Sequence, residues 1–125
     1  MNNNGGDSSM IQNLDGKIIK VMPHNNEYAA WKKKLTVAEF NAIADEIDKL
    51  LDASNGKFVP SWQDIDWTGS EFKPLVTACG GDENISGMFY GLICWDIIQQ
   101  RSETWTFTKF EQGGKEFSIY FLANP

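Results

Sequence analysis

The sequence predicts an α+β fold in which a small antiparallel sheet packs against two main helices. Three observations support this prediction: a helical run over residues 82–101 that is almost uncharged from Asn84 to Trp95, an amphipathic helical pattern over residues 36–54, and two alternating apolar runs near the C-terminus. On a helical wheel the first run is apolar on two sides, which is typical of a helix covered on both faces. We therefore expect it to be the central core helix.

Composition places the chain among ordinary globular domains. Its 125 residues are 42% hydrophobic and 13% aromatic, enough for one domain with its own core. We expect residues 1–9, which are polar and glycine-rich, to form a disordered tail before a single domain over residues 10–125. The net charge of -6 and the pI near 4.6 argue against binding to nucleic-acid phosphates.

The cysteines and the apolar runs indicate a cytoplasmic protein. Cys79 and Cys94 lie inside apolar patterns, where a free cysteine behaves as a small hydrophobic residue, so we expect both to be reduced and buried. The N-terminus lacks the features of a signal peptide. The apolar run of residues 85–98 is shorter than the roughly 20 residues of a membrane span, so no membrane association is expected.

The first elements are predicted to be a strand and a short helix. Residues 17–22 (KIIKVM) follow the Asp15-Gly16 turn signal and are rich in β-branched side chains, which favours a strand that Pro23 ends. Asn26 is suited to be the N-cap of a helix over residues 27–34. A strand over residues 28–35 is the alternative, because apolar and polar residues also alternate there.

Residues 36–54 form the clearest helical pattern. Thr36 and Glu39 make a capping box, and Asn55-Gly56 is a left-handed stop signal. An acidic row on another side of this helix either binds a cation or a basic partner, or is a solvated face; the row consists of Asp45, Asp48 and Asp52.

A long loop rich in aromatic residues follows over residues 57–73. Its aromatic side chains either cover the core or serve as binding anchors, since tryptophan suits both purposes; they are Phe58, Trp62, Trp67 and Phe72. Asp64 and Asp66 offer oxygens to a divalent metal, but the loop matches no calcium-binding pattern. We therefore predict no metal and no cofactor.

The C-terminal half is predicted to contain a short helix, the central helix and a hairpin. Pro74 suits the first turn of a helix over residues 75–79, and Gly87 and Gly91 on the central helix predict a close approach by a second element. Strands over residues 104–110 and 115–122 flank a turn at residues 111–114. The strand of residues 17–22 is expected to complete the sheet. The predicted buried face of the hairpin consists of Trp105, Phe107, Phe117, Ile119 and Phe121.

Asp96 is the unusual residue of the central helix, because it lies in the middle of its large apolar face. A buried carboxylate is costly unless it is hydrogen-bonded or paired. We expect it to accept hydrogen bonds from a tryptophan indole or from the backbone of the aromatic loop, pinning that loop to the helix. The alternative is a desolvated carboxylate at the floor of an aromatic pocket, available as a base or a ligand anchor.

No catalytic motif is recognisable, and we predict no catalytic residues. The favoured hypothesis is a non-enzymatic binding protein that contacts a protein or small-molecule partner through residues 58–72, with Trp62 and Trp67 as anchors. The second is a small enzyme or ligand-binding protein with Asp96 in its pocket and Asp64 or Asp66 nearby. The third is an acidic inhibitor that uses the aspartate row. A monomer or a homodimer is compatible with the sequence.

Overall fold

A computed structural model describes residues 11–66 and 70–123, and the predicted class, α+β with a small sheet packed on helices, is confirmed. The predicted tail of residues 1–9 and Trp67 lie outside the described residues. The elements, in chain order, are β1 (Ile11–Gln12), α1 (Asn25–Lys32), α2 (Val37–Ala53), β2 (Lys57–Phe58), α3 (Lys73–Ala78), α4 (Glu83–Gln100), β3 (Trp105–Gln112) and β4 (Lys115–Leu122).

The central helix of the prediction is α4. Asp82 caps its N-terminus by accepting a hydrogen bond from the Ile85 amide at 3.0 Å, which satisfies one of the free donors of the first turn. Ten of its residues are buried. Because α1, α2 and α3 all pack against it, α4 is covered on several sides as its two apolar faces require.

The amphipathic helix α2 also confirms its prediction. The Glu39 amide donates to the Thr36 hydroxyl oxygen at 3.0 Å, and the Thr36 amide donates to the Glu39 carboxylate at 2.8 Å, so the capping box is complete. The helix ends before Asn55 and Gly56, whose φ angles of 58° and 84° are left-handed. Its buried residues are Ile43, Ile47 and Leu51.

The N-terminal strand was predicted at the wrong place. The strand is Ile11–Gln12, which pairs in parallel with β3, whereas residues 17–22 contribute only an isolated bridge from Ile18 to Gln12. The Asn13 side chain accepts hydrogen bonds from the Asp15 and Lys17 amides at 2.9 and 3.0 Å. This side-chain turn reverses the chain early, so the earlier segment reaches the sheet.

The sheet is therefore mixed rather than purely antiparallel, and it contains a strand that the sequence did not predict. The strand order is β1-β3-β4-β2. In β2, Phe58 is paired antiparallel with Tyr120 and is buried. The aromatic loop thus begins as an edge strand, which fixes its start to the sheet.

The hairpin has a shorter turn than predicted, and three of the five side chains of its predicted buried face lie on the opposite face, although Ile119 is buried there. Gly113 and Gly114, with φ angles of 60° and 78°, form a two-residue turn that suits the twist of the strands. Trp105 then faces Leu122, and Phe107 faces Tyr120. The side chains predicted to share this face from β4 lie on the opposite face instead; they are Phe117, Ile119 and Phe121.

The two short helices are present with shifted bounds. α1 begins directly after His24, which has a left-handed φ of 54°, so Asn26 is not its cap and the alternative strand over residues 28–35 is wrong. α3 begins two residues earlier than predicted, with Pro74 in its first turn. In both cases the sequence predicted correctly that a helix is present, but not where it begins.

Candidate functional site

An aromatic concave feature lies between α4 and the β3–β4 hairpin. The Trp95 ring on α4 contacts Phe107 and Tyr120 of the sheet, with ring centroids 5.1 and 6.4 Å apart. Beyond this contact an aromatic cleft of about 300 Å³ remains. Its lining comes from α4 (Gly87, Met88, Gly91, Leu92, Trp95), from the hairpin (Phe107, Lys109, Glu116, Phe117, Ser118, Tyr120) and from two loops (Pro23, His24, Pro60).

Two glycines, Gly87 and Gly91, leave the helical wall of the aromatic cleft without side chains at these positions. A Cβ atom added to Gly87 would meet Trp62 at 3.5 Å, an ordinary contact, and one added to Gly91 would meet no atom of the described residues within 4 Å. The close approach predicted from this pair is therefore present at Gly87 and wrong at Gly91. A glycine inside a helix costs about 1 kcal/mol relative to alanine, and no packing contact at Gly91 requires it.

Trp95, which lines the aromatic cleft, also has an unused and buried hydrogen-bond donor. Its side chain is buried, with 3% of the residue exposed, and its indole N–H has no acceptor among the described residues. Leaving such a buried donor unpaired costs about 1–3 kcal/mol. A ligand oxygen within reach of the indole would recover part of this cost.

The rim of the cleft carries one ion pair and one histidine. The Lys109 ammonium lies 3.4 Å from the Glu116 carboxylate across the hairpin. On the other side, His24 Nδ1 is 3.2 Å from the Glu27 carboxylate. The rim therefore has no strong excess of either sign, and selectivity would rest on the aromatic interior.

The described part of the aromatic loop packs as a lid over α4. Phe72 is buried, and the partly buried Trp62 ring lies 5.4 Å from the Tyr90 ring and 6.2 Å from that of Phe72. The indole N–H of Trp62 is also buried without an acceptor among the described residues. Pro60 connects this lid to the aromatic cleft as part of its wall.

The two loop aspartates do not form a metal site with other residues. Asp64 lies in a short 3₁₀ turn over Trp62–Asp64, and both it and Asp66 are exposed. Among residues 11–66 and 70–123, no group of three or more histidine, cysteine, aspartate or glutamate side chains is placed to hold a metal ion. Neither aspartate lines the cleft near Asp96.

Asp96 is buried and bonded on both oxygens. Oδ2 accepts a 2.5 Å hydrogen bond from the Tyr28 hydroxyl and lies 3.7 Å from the Lys32 ammonium. Oδ1 accepts from the amide groups of Gln100 and Gln99 at 2.6 and 3.4 Å. Among the described residues, the donors to Asp96 are Tyr28 and two glutamines rather than an indole or the loop backbone, so the carboxylate pins helix α1 to α4.

The surroundings of Asp96 favour a structural role, in which the carboxylate acts as a clamp that holds α1 on α4 through its bond to Tyr28. Burial and the hydrogen bond to Asp96 raise the pKa of Tyr28 well above its usual range, so Tyr28 stays a donor at any physiological pH. A cleft of about 360 Å³ does reach the carboxylate, between Met22, Asn25 and Gln99. It contains no aromatic wall besides Tyr28, unlike the predicted pocket.

Two of the three aspartates of the acidic row of α2 are ion-paired within the chain. Arg101 Nη1 and Nη2 each lie 2.7 Å from a carboxylate oxygen, of Asp48 and Asp52 respectively, and its Nε donates to Glu103 at 2.8 Å. Burial opposes the charged form of Arg101, but bonds to the three carboxylates raise its pKa overall. Asp45 alone of the row has no such partner among the described residues.

We expect Glu103 to give this cluster a measurable acid dependence. The Arg101 hydrogen bond, helped by the Trp105 indole at 3.3 Å, lowers the pKa of Glu103 below its ordinary 4.5. The contribution to stability is therefore present above pH 4.5 and is lost as the pH falls below that value. Melting temperatures from pH 7 to pH 3 should show that Glu103→Gln loses less stability on acidification than the original chain. Glu71→Gln, at an exposed position, should leave the slope unchanged; equal slopes for all three proteins would contradict this expectation.

The cysteines are buried and free, as predicted. Burial raises the pKa of the Cys79 thiol, and it raises that of Cys94 well above the usual range. A nucleophilic cysteine needs the opposite shift, so neither thiol is activated for covalent chemistry.

The fold and the cleft define a small α+β protein with an aromatic cleft between its longest helix and its hairpin. No family model, curated protein or solved structure matches the chain. Within the described residues, no helix is long and apolar enough to cross a membrane. Phe107 and Tyr120 were not predicted to be cleft residues. In the sequence, the cleft was indicated only by Gly87 and Gly91, two glycines in an otherwise apolar helix.

Proposed function

We propose that this protein is a binding protein that takes a small aromatic ligand carrying a hydrogen-bond acceptor into the aromatic cleft. The observation that carries the proposal is the empty space over Gly91, in a cleft whose base is three aromatic rings. Offset and edge-on ring contacts would hold a planar ligand, and the volume fits the lower end of small-molecule sites. The aromatic loop takes part through Pro60 and through Trp62 behind Gly87.

The energetic cost of the site supports a binding role. An alanine at Gly91 would strengthen the helix without a clash, and an acceptor for Trp95 would remove an unpaired donor. A chain that keeps both features gives up stability that simple substitutions would recover, as binding sites commonly do. The two other hypotheses find less support: the Asp96 oxygens are occupied, and two aspartates of the acidic row are paired with Arg101.

Substitutions at Gly91 test the proposal. We expect Gly91→Ala to raise the free energy of unfolding by about 1 kcal/mol, because the added methyl group meets open space. Gly91→Leu should remain folded and fill the cleft. The binding measurement is a screen of one- and two-ring aromatic fragments, neutral and carboxylated, followed through the tryptophan indole signals in ¹H–¹⁵N spectra.

The expected result is a saturable shift of the Trp95 indole signal with carboxylated or carbonyl-bearing fragments. The shift should persist in Gly91→Ala and disappear in Gly91→Leu. Trp95→Phe keeps the aromatic packing but removes the donor, so it should weaken the same fragments about tenfold, equivalent to one hydrogen bond. Because this variant lacks the Trp95 indole signal, its titration is followed through the backbone amide signal of Gly91 in the same spectra. A screen in which no fragment moves the Trp95 signal, or in which Gly91→Leu binds as well as the original chain, would reject the proposal.

A further inference from the structure

The outer edge of β3 is open over most of its length. β1 pairs only with Trp105 and Thr106, and no other strand in the described part of the chain lies along this edge. The two-residue turn makes Gln112 and Lys115 a hydrogen-bonded pair, and such pairs alternate along an antiparallel ladder. Phe107, Lys109 and Glu111 therefore point their backbone N–H and C=O groups away from β4. An open row of this kind is a template for another strand.

The sheet face next to this edge is apolar on the side away from α4. Phe110 and Phe117 stack with centroids 5.4 Å apart and an interplanar angle of 24°. Phe121 lies on the same face and is 39% exposed. The opposite face carries Phe107 and Tyr120, which pack on Trp95. A strand added at the edge would extend this apolar surface.

The charges along the edge are unbalanced within one chain. Glu111 is directly opposite Glu116 in the hairpin register, and like charges at such positions are destabilising. Lys109 lies near Glu116, whereas Glu111 has no cationic partner among residues 11–66 and 70–123. Glu111 is exposed and is therefore free to meet a cation from outside the chain.

We propose that two copies of this chain pair antiparallel through their β3 edges, with Phe110 opposite the partner's Phe110. In this register Lys109 lies opposite the partner's Glu111, and the two-fold symmetry repeats the pair on the other side. Both residues present outward backbone groups, so the pairs are also hydrogen-bonded ones. A shift of the register by one pair would place Lys109 opposite the partner's Lys109 in one direction, or Glu111 opposite the partner's Glu111 in the other, so that like charges would meet. Charge complementarity thus selects one register and one partner, a second copy.

Charge reversal tests this interface on the full chain. Sedimentation velocity over a concentration series should show a dimer of twice 14.1 kDa in equilibrium with the monomer. Glu111→Lys should weaken the dimer about tenfold or more, because it opposes Lys109 with a second lysine. It should do so although it makes the net charge of -6 less negative, a change that by itself favours association. Lys109→Glu should weaken the dimer similarly.

The double variant Lys109→Glu/Glu111→Lys should restore the dimer, because it exchanges the charges within the same register. Lys115→Glu is the matched control for Lys109→Glu; it changes the net charge equally but lies on β4, away from the edge, so its dimer should persist. Circular dichroism confirms that each variant is folded. A monomer at concentrations up to about 1 mM, a dimer insensitive to the single reversals, or a double variant that stays monomeric would each overturn the proposal. Lys109 lines the aromatic cleft but Glu111 does not. Glu111→Lys therefore tests the interface apart from the cleft, and failure here leaves the ligand screen of the original chain unaffected.

Discussion

Replacing Phe89 by alanine should lower the free energy of unfolding by about 3–5 kcal/mol, the usual cost of deleting a buried aromatic ring. Phe89 has no exposed surface. Its ring lies 5.9 Å from Tyr28 and 5.7 Å from Trp31, so it joins α1 to α4. Because the free energy of unfolding of a small domain is only about 5–15 kcal/mol, this single substitution should remove a large part of it.

Urea denaturation followed by circular dichroism measures this loss. The neighbouring residue offers a control, since Met88 is 47% exposed and its replacement by alanine should change stability by only about 0.5 kcal/mol. Equal losses for Phe89→Ala and Met88→Ala would show that the packing of α1 on α4 contributes little.

The second large effect is expected at Asp96. Asp96→Asn should lower the free energy of unfolding by about 1–3 kcal/mol, because an amide replaces a carboxylate that accepts bonds from Tyr28 and Gln100. The amide keeps the size of the side chain but turns one of its two acceptor groups into a donor. The lost interaction joins the same two helices as Phe89, on the polar side of their contact.

A double-mutant cycle separates the clamp from other effects of the substitution. Tyr28→Phe removes the hydroxyl donor, so it should cost less in the Asp96→Asn background than in the original chain. Asp45→Asn, at an exposed position of α2, is the control for the loss of a carboxylate. If Asp96→Asn were as stable as the original chain or more so, the carboxylate would be kept at a cost, and the cleft beside it would become the better candidate site.

Local signals were reliable wherever a few neighbouring residues decide the structure. The Thr36–Glu39 capping box and the Asp82 cap formed as the sequence predicted, because each requires only hydrogen bonds within one turn of the chain. The left-handed Asn55-Gly56 stop is of the same kind. Helix ends without such signals, as in α1, were displaced by two residues.

The hairpin shows how hydrophobicity alone misassigned a face. Phe117, Ile119 and Phe121 are the most apolar alternating set of β4, so they were predicted to face the core with Trp105 and Phe107. A two-residue turn pairs the odd-numbered residues of β3 with the even-numbered residues of β4. Tyr120 and Leu122 therefore share the core-facing side with Phe107 and Trp105. The apolar set was left on the other face, which is the surface now extended in the proposed dimer.

By itself the sequence determined the α+β class, the four helices, the hairpin and the burial of α4, because periodicity and capping are properties of short segments. Only the tertiary structure decided which side chains meet. It placed β1 beside β3, paired Tyr28 with Asp96, and paired Arg101 with the acidic row. The aromatic cleft belongs to this second group. Its walls come from segments far apart in the chain, and the space over Gly91 is left by the arrangement of whole elements, which no local pattern encodes.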